Sequence, residues 1–359
     1  MNDISAVLRQ DEKAVLSLRG IYEKYGYKRY KMSKFEAYDL YLENKSFLAS
    51  EKIVTFSNSK GKLLALKPDI TLSIIKNAPR DVKGAYKVYY CENVYRAGGA
   101  SDELDIKEIM QVGIEHIGEI DLYGEGEVLT LAAKSLKSIS ENSVIGISHM
   151  GLISKVLAAQ NISGEAARAA TRALSSRNLY ALRENCGENS LLEKLAGIYG
   201  RLDTAIPQLK EICSCKCCES VIGELEGLTE VLSAMGSLDS FVLDFSVSND
   251  MNYYNGITFQ GFIDGIPRHV LSGGRYDGLA EKMGLKAGAI GFAVYPDILE
   301  RFDASKKTPD VDVLLLYGED TKLSIVADKV CELQSMGKKV CAVKNTANSL
   351  PTFAEKIEL

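Results

Sequence analysis

The sequence predicts an α+β fold: an antiparallel sheet flanked by helices, interrupted by a helical insertion and followed by a short C-terminal α/β unit. Three observations lead there. Two long strand-like runs, 86–96 and 106–117, flank the polar loop AGGASDELD. An Ala-, Leu- and Glu-rich helical block fills about 150–236. Strands then resume in FVLDFSV, GITFQGFID and RHVLSGG, with Asp264–Gly265 suited to a hairpin turn. At 359 residues the chain exceeds one small domain. The expected division is a core in two parts, 1–149 and 237–304, around an insertion at 150–236, then a separate unit at 308–359.

Taken in order, residues 4–25 form an amphipathic helix, because Val7, Leu8, Val15, Leu18, Ile21, Tyr22 and Tyr25 recur at three- and four-residue steps. Gly26 ends it, and GYKRYKMSKFEAYDLY runs extended before a second helix. Residues 53–66 make a hairpin around Asn58–Gly61. Pro68 marks a break and Thr71 stands near a helix start. Residues 125–139 read as a helix with Val128, Leu129, Ala132 and Leu136 on one face. After SKKTPD, a strand (VDVLLLYG), a helix ending at Gly337 and a strand (KKVCAVKN) open a βαβ unit.

Composition narrows the classes. A hydrophobic share of 46% with 25% charged residues supports a substantial core, and a net charge of −5 gives no global case for binding nucleic acid. No run approaches the roughly 18–20 apolar residues that span a bilayer, and MNDISAVLRQDEK lacks a signal-peptide core. A cytoplasmic location follows, and the eight cysteines are expected as thiols. Four of them crowd into CSCKCC (Cys213, Cys215, Cys217, Cys218). Structural zinc sites separate their cysteine pairs, so an exposed thiol cluster without metal is the expectation.

Alternation along IKEIMQVGIEHI puts Gln111, Gly113 and Glu115 on one face and Met110, Val112 and Ile114 on the other. The polar face is either a ligand floor or a surface turned to water. Gly273, Gly274 and Gly278 read as tight backbone turns, and no GxxxxGK[ST] loop is present to cradle phosphates.

KVYYCENVYRAGG…DIKEIMQVGIEHIG resembles motif 2 of histidyl-tRNA synthetase, a class II aminoacyl-tRNA synthetase. LSGGRYDGL…GAIGFAVYPDILERF resembles the GGRYDGL signature and motif 3 of the same family. The segment carrying Glu36 resembles motif 1, the dimer-forming element, with Ser33 where a proline is usual. The resemblance implies a class II synthetase-like fold, self-association through the motif 1-like region, and half of an anticodon-binding domain at the C-terminus. It also implies a histidine pocket. Glu115 would accept the imidazole N–H, Tyr254 would offer a hydroxyl to the ring, and Tyr276 would wall it. Gln111 and Thr71 would address the amino-acid head, Asp69 the ammonium, and Arg96 the carboxylate.

Two departures matter more than these matches. Asn249 in NDMNYY stands where the family has its histidine-specific catalytic arginine, and Ile298 replaces the motif 3 arginine under ATP. Lys107 replaces a second motif 2 arginine, and Tyr295 takes a glycine position. Each preorganised charge removed from a phosphate-transfer site typically costs on the order of 10²–10³ in rate. A retained pocket without those cations resembles the regulatory subunits of ATP phosphoribosyltransferase. That implies a non-catalytic partner of the short-form catalytic subunit in histidine biosynthesis, with histidine as allosteric feedback effector and no cofactor, no tRNA and no membrane. Two other readings stay open at this point: an active synthetase relying on Arg96, Lys107 and Arg275, and a degenerate docking module without ligand response.

Overall fold

The computed structural model describes residues 8–48, 53–80, 82, 84–97, 106–213, 216–247, 253–299, 309–347 and 349–359. The chain divides into two compact units, Met1–Phe302 and Asp303–Leu359. A mostly antiparallel sheet carries the first. Its strands are β1 (Lys28–Arg29), β5 (Ala85–Ala97), β6 (Ile106–Gly118), β7 (Ser143–His149), β8 (Tyr199–Arg201), β9 (Phe241–Asp244), β10 (Ile257–Ile263), β11 (Leu271–Arg275) and β12 (Gly288–Val294). They lie in the order β1-β5-β6-β12-β11-β10-β7-β9-β8. Only the β1–β5 and β7–β9 pairs are parallel. A smaller antiparallel sheet joins β2 (Phe35–Ala37), β3 (Thr55–Ser57) and β4 (Leu63–Leu66), the last two forming the expected hairpin.

Helix α1 spans Gln10–Lys24 rather than starting at residue 4; Leu8 and Arg9 are not helical, and residues 4–7 lie outside the described ones. The start is set by Glu12, whose carboxylate accepts the Arg9 backbone N–H at 2.9 Å. Helix α2 (Tyr38–Glu43) follows β2, and α3 (Thr71–Asn77) starts at Thr71 as expected, after the break at Pro68. Helix α4 (Leu122–Lys137) begins on an Asp121 cap that accepts the Gly124 N–H at 2.8 Å. It packs on β7, β10 and β12, with Val128, Leu129, Ala132 and Leu136 buried.

The helical block contains α5 (Met150–Ala159), α6 (Gly164–Ser175), α7 (Leu179–Cys186), α8 (Leu191–Ala196), α9 (Leu202–Ile212) and α10 (Lys216–Ala234). It does not separate as a unit of its own. Strand β8 extends the main sheet beside β9, α10 packs on α4, and their apolar faces share one core. Strand β7 was not legible as one; it reaches the sheet between β10 and β9.

In the second unit β13 (Val311–Tyr317) lies between β14 (Val340–Lys344) and β15 (Phe353–Glu358), parallel to both, with α12 (Leu323–Ser335) linking β13 to β14. The βαβ expectation holds, and β15 adds a strand that the sequence had not suggested. Among the described residues no helix is long and apolar enough to cross a membrane.

Candidate ligand pocket

The pocket is set by three pieces of sequence brought together on the main sheet. Lys67, fully buried, pairs with Glu92 on β5 at 2.6 Å, and its carbonyl accepts the Tyr95 N–H at 2.9 Å. Arg96 Nε donates to the Pro68 carbonyl at 3.0 Å. The KPD segment is thereby fastened along β5, which carries Asp69 and the start of α3 to the mouth of the sheet. Glu36 holds the same helix from outside through Ser73 (2.9 Å) and Lys76 (2.8 Å). After β11, Tyr276 caps helix α11 (Asp277–Lys282) and turns its side chain inward.

The resulting cavity is about 220 Å³. Asp69, Thr71, Arg96, Gln111, Glu115, Tyr254 and Tyr276 all line it, so the seven residues assigned to one ligand share one cavity. Strand β6 lies inside the sheet between β5 and β12, and Gln111 and Glu115 are 5% and 2% exposed. That removes the water-facing reading of the alternation.

Glu115 is the centre of the polar network. Thr71 Oγ1 donates to its Oε1 at 2.7 Å, and the Tyr276 hydroxyl donates to Oε2. Burial pushes its carboxyl up to about 8; the two hydroxyl bonds oppose that shift and the nearby Asp69 adds to it. Asp69 is raised too, mainly by burial, against the Leu72 N–H bond (2.9 Å) and the Arg96 guanidinium. Two carboxyls held above their ordinary range in one small cavity suit a ligand bringing its own N–H donors or positive charge.

Sequence reasoning missed part of the wall. Tyr90, Tyr253, Ser272 and Phe47 also line the cavity. The Tyr253 ring sits tilted between those of Tyr254 (4.7 Å) and Tyr276 (5.8 Å), with Phe47 edge-on at 6.4 Å. Tyr90 stands opposite Gly113 in the β5–β6 register and fills the glycine gap: a Cβ at Gly113 would lie 2.5 Å from its hydroxyl. A tyrosine paired across a hairpin with a glycine was the signal available.

The glycine expectation needs correction. Gly273 and Gly274 lie within β11 and Gly278 within α11, and none has a left-handed φ. Gly273 and Gly274 serve close packing instead, since Cβ atoms there would come within 2.4 Å of the Gly291 carbonyl and 2.6 Å of Tyr254. Gly278 faces open space.

Ile298 is not at the cavity; it is 7% exposed and belongs to the main core, while neighbouring Asp297 accepts the Met110 N–H at 2.7 Å. Asn249 lies outside the described residues. Tyr295 lines the cavity together with Ser272 and Tyr254. Arg275 is turned away and committed to Glu125 (2.7 Å) and Asp277 (2.8 Å).

Among the described residues no group of three or more His, Cys, Asp or Glu side chains could hold a metal ion. Cys213 and Cys218 are buried, contrary to the exposed cluster expected, because they close the core between α9 and α10; burial pushes the Cys213 thiol up to about 12. The Cys215 expectation lies outside the described residues, as does the side chain of Cys217.

A regulatory subunit of ATP phosphoribosyltransferase from Clostridium kluyveri is 29% identical over 297 residues, covering 78% of this chain and 74% of its own. One from Caldanaerobacter subterraneus is 29% identical over 319 residues, covering 85% and 82%. Among solved structures, an ATP phosphoribosyltransferase regulatory subunit/histidyl-tRNA synthetase from Bacillus halodurans superposes with a TM-score of 0.75 at 21% identity, covering 97% of this chain and 93% of that one. A chain of the ATP phosphoribosyl transferase complex from Thermotoga maritima gives 0.60 at 20% identity, covering 79% and 96%. The histidyl-tRNA synthetase family pattern matches residues 5–299, across the sheet and every element of the cavity, and the chain belongs to that family.

Proposed function

We propose that this chain is a non-catalytic regulatory subunit of ATP phosphoribosyltransferase, joining a short-form catalytic subunit and reporting histidine to it. The observation that carries the reading is the contrast between an intact cavity and an emptied catalytic position. Glu115, Asp69, Arg96 and the tyrosines converge, whereas Ile298 packs in the core. Size argues the same way. Pockets for drug-sized ligands run to about 300–1,000 Å³, and a cavity of about 220 Å³ suits an amino acid better than an amino acid joined to a nucleotide. Tyr295 occupies part of the wall where the family has a glycine. The names of the curated relatives point to the same role.

In this reading Arg96 takes the ligand carboxylate, Asp69 its ammonium, and Glu115 an imidazole N–H, with Tyr254 at the other ring nitrogen. Ligand binding stabilises one conformation of the subunit. A coupling of roughly 1–3 kcal/mol gives a 5–150-fold effect on the partner. The test is co-purification with a phosphoribosyltransferase, then titration of its rate with histidine in the wild type and in Glu115→Ala and Tyr254→Phe variants. Both variants should lose inhibition in parallel with calorimetric affinity; unchanged affinity in both would place the effector elsewhere.

The active-synthetase reading loses one support, because Arg275 is committed to Glu125 and Asp277. Histidine-dependent pyrophosphate–ATP exchange should therefore be absent. Ile298→Arg should not restore it and should destabilise the fold by several kcal/mol, because a charge would enter the core. Exchange at a synthetase's rate in the wild type would overturn the proposal.

A further inference from the structure

A second cavity, about 440 Å³, opens on the first unit between α2, α3 and α11. Its floor is apolar, with Leu40, Ile75, Met283 and Leu285. Lys76, Arg80 and Lys282 line it together with a single carboxylate, Glu43. In a chain of net charge −5 this is a local inversion of sign. The three cations are not equally occupied. Lys76 holds Glu36 at 2.8 Å, and Lys282 donates to Ser46 Oγ at 3.1 Å while lying 4.7 Å from the Phe47 ring centroid. Arg80 has no ion pair or hydrogen bond among the described residues, and its guanidinium lies against Gly284, where a Cβ would be 3.2 Å from Nη1. A planar fork of N–H donors beside an apolar floor fits a phosphate or carboxylate attached to an apolar or ring body.

Two of the three helical walls of this cavity, α3 and α11, start in the first one. Helix α3 begins with Thr71, bonded to Glu115, and reaches Ile75 and Lys76 little more than one turn later. Helix α11 begins on Tyr276, the other partner of Glu115, and ends at Lys282. Phe47 lines the first cavity and carries Lys282 on its ring. Neither helix exceeds two turns, so a displacement at one end is felt at the other.

We propose that this second cavity binds a small organic anion, a phosphate or carboxylate on an apolar or ring body, and that its occupancy is linked to that of the first pocket through α3, α11 and Phe47. The linkage, though not the site, rests on the histidine reading above.

Calorimetric titration of the full chain with phenyl phosphate, without histidine, tests the site. One molecule should bind, more tightly than inorganic phosphate because the ring covers the apolar floor. Arg80→Glu and Lys282→Glu, both at exposed side chains, should each weaken it by about tenfold or more. Equal affinity for inorganic phosphate would mean an adventitious ion only and would overturn the proposal, as would no binding or binding indifferent to both variants. If the probe fails and the variants instead weaken self-association or a complex with another protein chain, the cations serve a protein contact and the proposal falls. For the linkage, saturating phenyl phosphate should shift histidine affinity by roughly fivefold or more in the wild type and not in Arg80→Glu. Probe binding with no such shift overturns the linkage alone, whereas a chain that binds the probe and never binds histidine refutes the histidine reading instead.

Discussion

Replacing Glu115 by glutamine should stabilise the empty protein at pH 8 and leave it unchanged near pH 4. The folded-state carboxyl titrates at about 8, far above the ordinary value of 4.5. A raised pKa means that its contribution to stability is fully present below about 4.5 and is lost as pH rises through 8. The full shift corresponds to at most ~4–5 kcal/mol, at about 1.36 kcal/mol per pH unit. Thermal melts from pH 5 to 8 should therefore fall more steeply in the wild type than in Glu115→Gln, with a separation of roughly 5–10 °C at pH 8. Parallel profiles would mean that Glu115 is ordinarily ionised in the empty cavity.

The same carboxyl makes ligand binding depend on pH. If a neutral imidazole donates its N–H into an ionised Glu115, only the ionised fraction binds, and affinity should rise about fivefold between pH 7 and pH 8. Calorimetry in two buffers of different ionisation enthalpy should then record proton release. Affinity independent of pH, with no release, would show that the proton passes to the ligand, which binds as an imidazolium.

The second large effect is expected at Gly291. On β12, opposite Glu115 in the register, a Cβ at this position would come 1.9 Å from Glu115 Oε2 and 2.4 Å from the Ile114 carbonyl. Neither can withdraw: the carboxyl is held by Thr71 and Tyr276, and the carbonyl belongs to a central strand. Gly291→Ala should cost about 3 kcal/mol or more in denaturant unfolding and abolish histidine binding. Gly278→Ala is the contrast. That position is helical with open space around it, so alanine should stabilise by about 0.5–1 kcal/mol without touching the ligand. A well-folded Gly291→Ala protein that still bound histidine would mean that the sheet is looser here than its packing indicates.

Much of this architecture was legible because local chemistry dictated it. The period-2 runs around the AGGASDELD loop, the Asn58–Gly61 turn, the break at Pro68 and the apolar face of α4 each demanded one conformation. The seven pocket residues could be named because they sit in motifs whose spacing the family shares. Strand β7 escaped notice because SVIGISH is a short apolar run whose type is fixed only by its neighbours in the sheet. Tyr90 escaped for a related reason, since its role exists only once hairpin register puts it opposite Gly113.

By itself, the sequence determined which side chains are available: carboxylates, hydroxyls and an arginine in the motif 2-like segment, with isoleucine at the position where the family resemblance leads one to expect an arginine. Only the tertiary structure decided what those groups become. Burial turned Glu115 from an ordinary acid into one that titrates near 8, packing made glycines in β11 and β12 into spacing elements, and ion pairing took Arg275 out of the site. The physical reason is the same in each case. Desolvation, close contact and charge pairing depend on what surrounds a group in three dimensions, and one-dimensional spacing does not carry that information.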